Sequence, residues 1–272
     1  MMATMDDFKN FMPRMPSEQE LQESALQWEK VSGPCMLGNW PDDLAALSMP
    51  TQYVELPRNN GALYEHRTFL DHARPIAAKI DEIVGFDHVF FRLNSRSPKD
   101  SAWPMEIPVS CSGKVMMNVI ATSERCLEDL GRMRYTITTP KICLREYQPG
   151  MQWRGEYRVF IKDRNVLAVA EYANGRTPEL HQIDDDHDRW IRQAIDDYLA
   201  STVIPRLHLD TVVVDLWHRH WQKSSPFMLI EINPYGLSDP VGAQSYHAIE
   251  RGIPSIARLP RGAVEDDGSV QP

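Results

Sequence analysis

No segment of this 272-residue chain approaches the length of uninterrupted apolar sequence that a membrane span requires. Cysteine is scarce and scattered. Cys35, Cys111, Cys126 and Cys143 form no CxxC pair, which argues against a zinc ribbon or redox motif and leaves buried, reduced thiols as the plain expectation. Basic charge is in deficit: 29 Lys and Arg against 38 Asp and Glu give a formal net charge of −9, which disfavours a broad nucleic-acid-binding surface. A local phosphate pocket needs only a few cations, because backbone amides and a metal ion share the task.

Familiar catalytic signatures are missing as well. There is no GxSxG elbow, no HExxH and no local Cys/His/Asn signature. Ser112–Val115 (SGKV) lacks both the glycine spacing and the hydroxyl after lysine that a P-loop needs. His218 with His220, and His181 with His187, have no matching Cys/His cluster and are set aside as metal ligands. The opening MMATMDDFKNFMPRM lacks a positively charged start followed by an apolar run, so it does not read as a secretory signal, and the expected location is the cytoplasm.

What is present is an ordinary globular composition, 42% hydrophobic and 25% charged, long enough for one large domain or two interlocked lobes. Ser17, followed three residues later by Glu20, caps a first amphipathic helix over Ser17–Val31. TQYVEL reads as a short strand. Thr68–Val84 reads as a helix that Pro75 kinks or splits. HVFFRL is a strand feeding the polar loop NSRSPKDS, and Ser123–Arg134 is a serine-capped helix. ICLREY is a further strand, EYRVFI and VLAVAEY form a hairpin about KDRN, and His187–Leu207 is one long helix. TVVVDLW and FMLIEINP read as adjacent core strands, and the polar GAVEDDGSVQP as a loose tail.

The chemistry lies on those strands. Side chains alternate along a strand, so Glu231 and Asn233 share a face, and a paired strand can bring Asp215 beside them. Two carboxylates and an amide oxygen suit Mg²⁺, which completes its shell with water and phosphate. A strand end and a turn cap before Pro234 account for the same residues equally well. Glu156 and Arg158 also share a face; the arginine fork can contact phosphate and the glutamate can orient a cation, although an ion-paired surface strand is the commoner case. Arg145, Glu146 and Tyr147 can form a lobe-connecting segment whose backbone reads an adenine edge, or a plain edge strand. Arg92, Arg96 and Lys99 make a basic loop that can hold phosphate or be a solvated turn.

In order, FFRLNSRSPKDS, ICLREY, GEYRVFIKD, VVVDLW and LIEINPYGLSDP resemble the cell division cycle protein 123 family, a divergent ATP-grasp group, over about Leu56–Asp239. The resemblance implies an α+β ATP-grasp fold, two β-rich lobes enclosing a nucleotide cleft, with an N-terminal helical elaboration. It implies an elaboration over 1–55, a core over 56–258 with 145–172 contributing to the smaller lobe, and a tail over 259–272. Asp215, Glu231 and Asn233 match the family's metal-and-phosphate positions, with Glu231 where Asp is common. Arg92 stands where the family has the lysine of its KLN pattern. Arg145–Tyr147 match the strand-to-hinge region, and Glu156 with Arg158 the EFR-like motif.

The implied cofactors are ATP and Mg²⁺, with Arg92, Lys99, Arg145 and Arg158 compensating phosphate charge. Two functions follow as expectations. One is an ATP-dependent ligase acting through carboxylate activation on an acceptor substrate; the other is an ATP-binding assembly chaperone for a protein client, like the translation initiation factor 2 assembly factor.

Overall fold

The computed structural model describes residues 16–57, 66–85, 88–101, 109–148, 151, 155–171, 185–219, 227–243, 245–253 and 256–257. Two sheets carry the architecture. The first contains β1 (Thr51–Glu55), β2 (Val89–Leu93), β3 (Val109–Ser110) and β4 (Lys141–Glu146), in the antiparallel order β1-β4-β2-β3. The second contains β5 (Glu156–Lys162), β6 (Asn165–Glu171), β7 (Val212–His218), β8 (Phe227–Asn233) and β9 (Ile256–Ala257), in the order β8-β7-β5-β6-β9, with only the β6–β9 pair parallel.

Each sheet is roofed by helices that bury an apolar stripe. On the first lie α3 (His66–Ile83), α4 (Gly113–Ala121) and α5 (Glu124–Met133), with Ile80, Phe91, Met116, Ile120, Leu130 and Leu144 in one core. On one face of the second lies α6 (Asp185–Tyr198), whose Ile191 and Ile195 pack with Val159, Ile161, Val214 and Leu216. Its other face meets α7 (Tyr246–Glu250) through Ile249, Phe160, Ala168 and Val213. Cover on both faces explains why β7 is a continuous apolar run instead of an alternating one.

The capping box at α1 (Glu18–Ser32) forms as expected: Ser17 Oγ accepts from the Glu20 amide at 3.3 Å, and Glu20 Oε2 accepts from the Ser17 amide at 2.7 Å. A short α2 (Asp42–Ala45) leads into β1. The β5–β6 turn puts Asp163 and Arg164 at φ 51° and 62°, the left-handed pair a two-residue hairpin demands. Arg164 is held there by Asp210 Oδ1 at 2.6 Å and by the Ile204 and Leu207 carbonyls, both at 2.9 Å.

Three expectations are corrected. Pro75 does not split its helix: it is exposed, while Ala73, Ile76, Ala77 and Ile80 hold the buried face of α3 together across the missing amide. The long helix to Leu207 ends at Tyr198 and continues as a π turn over Leu199–Val203 and a 3₁₀ turn over Ile204–Arg206, because Pro205 cannot donate to the ladder. Cys111 is exposed, while burial pushes the thiols of Cys35 and Cys143 up to about 12 and Cys126 up to about 11, which leaves those three inert. Thr51–Glu55 belong to the first sheet, and β4 and β5 lie in different sheets. The polar tail over 259–272 lies outside the described residues.

Candidate active site between the two sheets

Strand register assembles the site. Arg158 on β5 stands opposite Asp215 on β7, and Asp215 stands opposite Glu231 on β8, beside a register shift between Asp215 and Leu216. Arg158 grips Asp215 with its fork: Nε donates to Oδ1 and Nη2 to Oδ2, both at 2.8 Å. Asn233 Nδ2 donates to the same Oδ2 at 3.0 Å. The expected meeting of Asp215 with Asn233 is therefore direct, and Glu231 joins them through strand pairing.

Glu231 is clamped from the other sheet. Arg92 on β2 donates through Nη2 to Glu231 Oε1 at 2.7 Å and to the Ser95 carbonyl at 3.0 Å. Arg145 on β4 is fully buried and crosses the same gap, donating to the Ile230 carbonyl at 2.9 Å and to Ser48 Oγ at 2.6 Å. Its Nε has no partner among the described residues. Burial, together with the charge of Arg92, lowers its pKa to about 10.

The carboxylates are crowded. Burial and the charge of Asp215 push half-buried Glu156 up to about 8. Burial and Glu231 push Asp215 up against the opposing pull of Arg158. Burial acts upward on Glu231 too, but Arg92, Lys99 and Arg158 outweigh it and hold that carboxyl at about 2. Glu231 thus carries its charge while Glu156 favours the neutral acid at neutral pH.

A cavity of about 560 Å³ opens along this wall, lined there by Lys99, Arg158, Glu231 and Asn233. Arg92, Arg145 and Asp215 sit behind the lining, buried, and Glu146 and Tyr147 are half-buried at the end of β4, also outside it. The basic loop is no solvated turn. Asn94 joins it to the segment before β4 by donating to the Thr139 carbonyl at 3.2 Å and accepting from the Lys141 amide at 3.1 Å. Asp100 anchors its far end, accepting from Ser123 Oγ at 2.5 Å and the Arg125 amide at 3.0 Å. Sequence reasoning missed Asp129 and Arg132 of α5, which also line the cavity; their spacing is a helical i,i+3 pair, but the partner Arg96 is 33 residues away.

Among the described residues no three His, Cys, Asp or Glu side chains are grouped to hold a metal by themselves. His218 is buried against Phe227 and Trp190.

Fold and site define a class: an α+β protein of two helix-covered sheets, with an acid–arginine network joining them. The chain belongs to the D123 family, whose model matches residues 50–251. It is 25% identical over 178 residues to the translation initiation factor eIF2 assembly protein of Candida albicans, covering 61% of this chain and 50% of that one. The chain thus spans about half the length of that curated relative. Cdc123 from Schizosaccharomyces pombe matches in structure with a TM-score of 0.65 at 18% identity, over 85% of this chain and 98% of that chain. A C-terminally truncated form of the same protein matches with 0.62 at 18%, over 83% and 93%. At that identity the likeness is one of fold.

Proposed function

We propose that the chain binds ATP with Mg²⁺ at this wall and is an ATP-dependent ligase-type enzyme that activates a carboxylate. The observation that carries the reading is the delivery of two carboxylates, an amide and an arginine from three adjacent strands to the edge of one cavity. The donor chemistry fits a hard divalent ion. Glu231 has one oxygen on Arg92, and Asn233 turns its amide nitrogen to Asp215, so a carboxylate oxygen and an amide oxygen remain for a cation. Burial first, and repulsion between neighbouring carboxylates second, raise Asp215 and Glu156, and a positive charge placed beside them offsets both.

In this reading Asp215, Glu231 and Asn233 hold the metal, which when bound screens phosphate charge. Lys99 and Arg158 contact phosphate from the lining. Arg92 and Arg145 act from behind it, Arg92 by keeping Glu231 ionised. Glu146 and Tyr147 offer the adenine edge, with Glu156 orienting a neighbouring cation.

A second reading, an ATP-binding assembly factor with a protein client, draws on the likeness to the eIF2 assembly protein. Calorimetry tests the shared part: ATP affinity should rise with Mg²⁺ and fall on Glu231→Gln in a folded variant, and an affinity indifferent to Mg²⁺ would remove the metal site. Incubation with ATP and a cell extract, followed by mass spectrometry, then separates the two. ADP or AMP together with a new covalent product identifies the ligase; ATP-stabilised capture of one protein without such a product identifies the assembly factor.

A further inference from the structure

The cavity has a second wall that the nucleotide reading leaves unused. Arg125, Asp129 and Arg132 reach it from α5, Arg96 from the loop after β2, and Trp28 from α1. Asp129 is buried to 1% side-chain exposure and accepts from Arg96 Nε at 2.6 Å and from Arg132 Nη1 at 3.3 Å. One buried carboxylate thus fixes two guanidinium planes. Arg132 also lies over the Trp28 ring, 5.8 Å from its centroid.

Arg132 is held by two acids, Nη1 on Asp129 and Nη2 on Glu128 Oε1 at 2.5 Å, whereas Arg96 and Arg125 are not used up. Arg96 spends its Nε on Asp129, and its terminal Nη1 stands 3.8 Å from Glu128 Oε2, beyond hydrogen-bond reach. Both terminal amino groups of Arg96 therefore lack a hydrogen-bond partner among the described residues. Arg125 shares the wall, its backbone amide bonded to Asp100 and its side chain without a hydrogen-bond partner among the described residues. The whole cavity is lined by five Lys and Arg against three Asp and Glu, in a chain whose formal charge is −9. Local positive excess in an acidic protein is the footprint of an anionic ligand.

We propose that Arg96, Arg125 and Arg132 form a carboxylate-binding subsite, separate from the triphosphate grip, that takes a small organic acid beside the nucleotide. Planar guanidinium forks suit a carboxylate, Trp28 and Leu237 offer apolar walls for the body of the acid, and the volume is that of a small-molecule pocket. The inference rests on the proposed function for the position of ATP, and it gives the carboxylate of that reading a place in the cavity.

Calorimetry with glutarate as the probe tests it, with and without MgATP. Wild type should bind glutarate saturably; Arg96→Gln should weaken that binding by about tenfold and exposed Arg125→Gln by a smaller factor, a charged bidentate contact being lost in the first. Both variants should keep MgATP affinity, while Glu231→Gln should lose MgATP and keep glutarate. Arg96→Lys, which retains the charge but not the fork, should fall between wild type and Arg96→Gln, and Arg125→Gln carries the test should Arg96→Gln fail to fold. No glutarate binding at millimolar concentration, equal binding by all variants, or competitive displacement of glutarate by MgATP or inorganic phosphate would each overturn the subsite. Glutarate binding that depends on Arg96 in a protein indifferent to MgATP would uphold the subsite while removing the nucleotide reading.

Discussion

Arg158 shows how much of this site depends on pairing that strand periodicity cannot display. Alternation places Glu156 with Arg158, and Glu231 with Asn233, on shared faces, so both pairs are legible in the chain. The bond from Arg158 to Asp215 spans 57 residues and needs the β5–β7 register to exist. Sequence reading therefore leaves Arg158 between a phosphate contact and an ion-paired surface strand, while the structure makes it the counter-charge of a buried carboxylate. Arg158→Ala strands that carboxylate and is expected to cost about 3–5 kcal/mol, the scale for breaking a buried pair. Urea denaturation measures it. A loss near zero would mean that Asp215 finds another partner or takes up a proton at little cost.

At the scale of elements, α1 and α4 show two different limits of legibility. The capping box that starts α1 is readable because its signal lies within four residues. Its attachment is not: Glu29 accepts from the Thr138 amide and hydroxyl, both at 2.6 Å, and from the Ile137 amide at 3.2 Å, more than a hundred residues on. Burial raises that carboxyl, but the bonds from Thr138 and Ile137 outweigh it and leave the pKa below its ordinary 4.5. The folded value is the depressed one, so the contribution is present above pH 4.5 and fades as pH falls through the lowered value. Wild type should exceed Glu29→Gln in stability at about pH 6, and the gap should close by about pH 3. A gap that widens in acid would reverse the assignment.

The helix α4 escaped sequence reading because KVMMNVIA is apolar on most sides and shows no stripe, as expected of a helix buried between α3 and the first sheet. Gly113 sets its approach: a Cβ there would lie 2.2 Å from the Ala77 carbonyl oxygen. Gly113→Ala must push backbone against backbone, so overpacking of about 1–3 kcal/mol should outweigh the gain in helix propensity. A lowered Tm is the expected outcome; a raised one would show that α3 and α4 separate freely.

At the scale of the molecule, the two sheets were legible as two β-rich lobes, and the family motifs supplied their order, because ordered motifs constrain topology where single ones do not. How the lobes hold together was not legible. Arg92 and Arg145 come from strands of the first sheet and bond Glu231 and Ile230 in the second, so two buried cations bridge the lobes beside one apolar link, Cys143 of β4, which packs in the core of the second sheet. Such a bridge couples the lobes only if its partners depend on each other. Arg92→Met leaves Glu231 without its main counter-charge, whereas Arg92→Met with Glu231→Met removes both charges and their desolvation together. The double variant should therefore be less destabilised than the sum of the single ones, with a coupling of about 2 kcal/mol for a pair that is only partly buried. Denaturation followed by tryptophan fluorescence and by far-UV circular dichroism should give one coincident transition in wild type and two in Arg92→Met. Additive effects, with coincident transitions in every variant, would show that the lobes cohere through apolar packing and that the arginines serve the site alone.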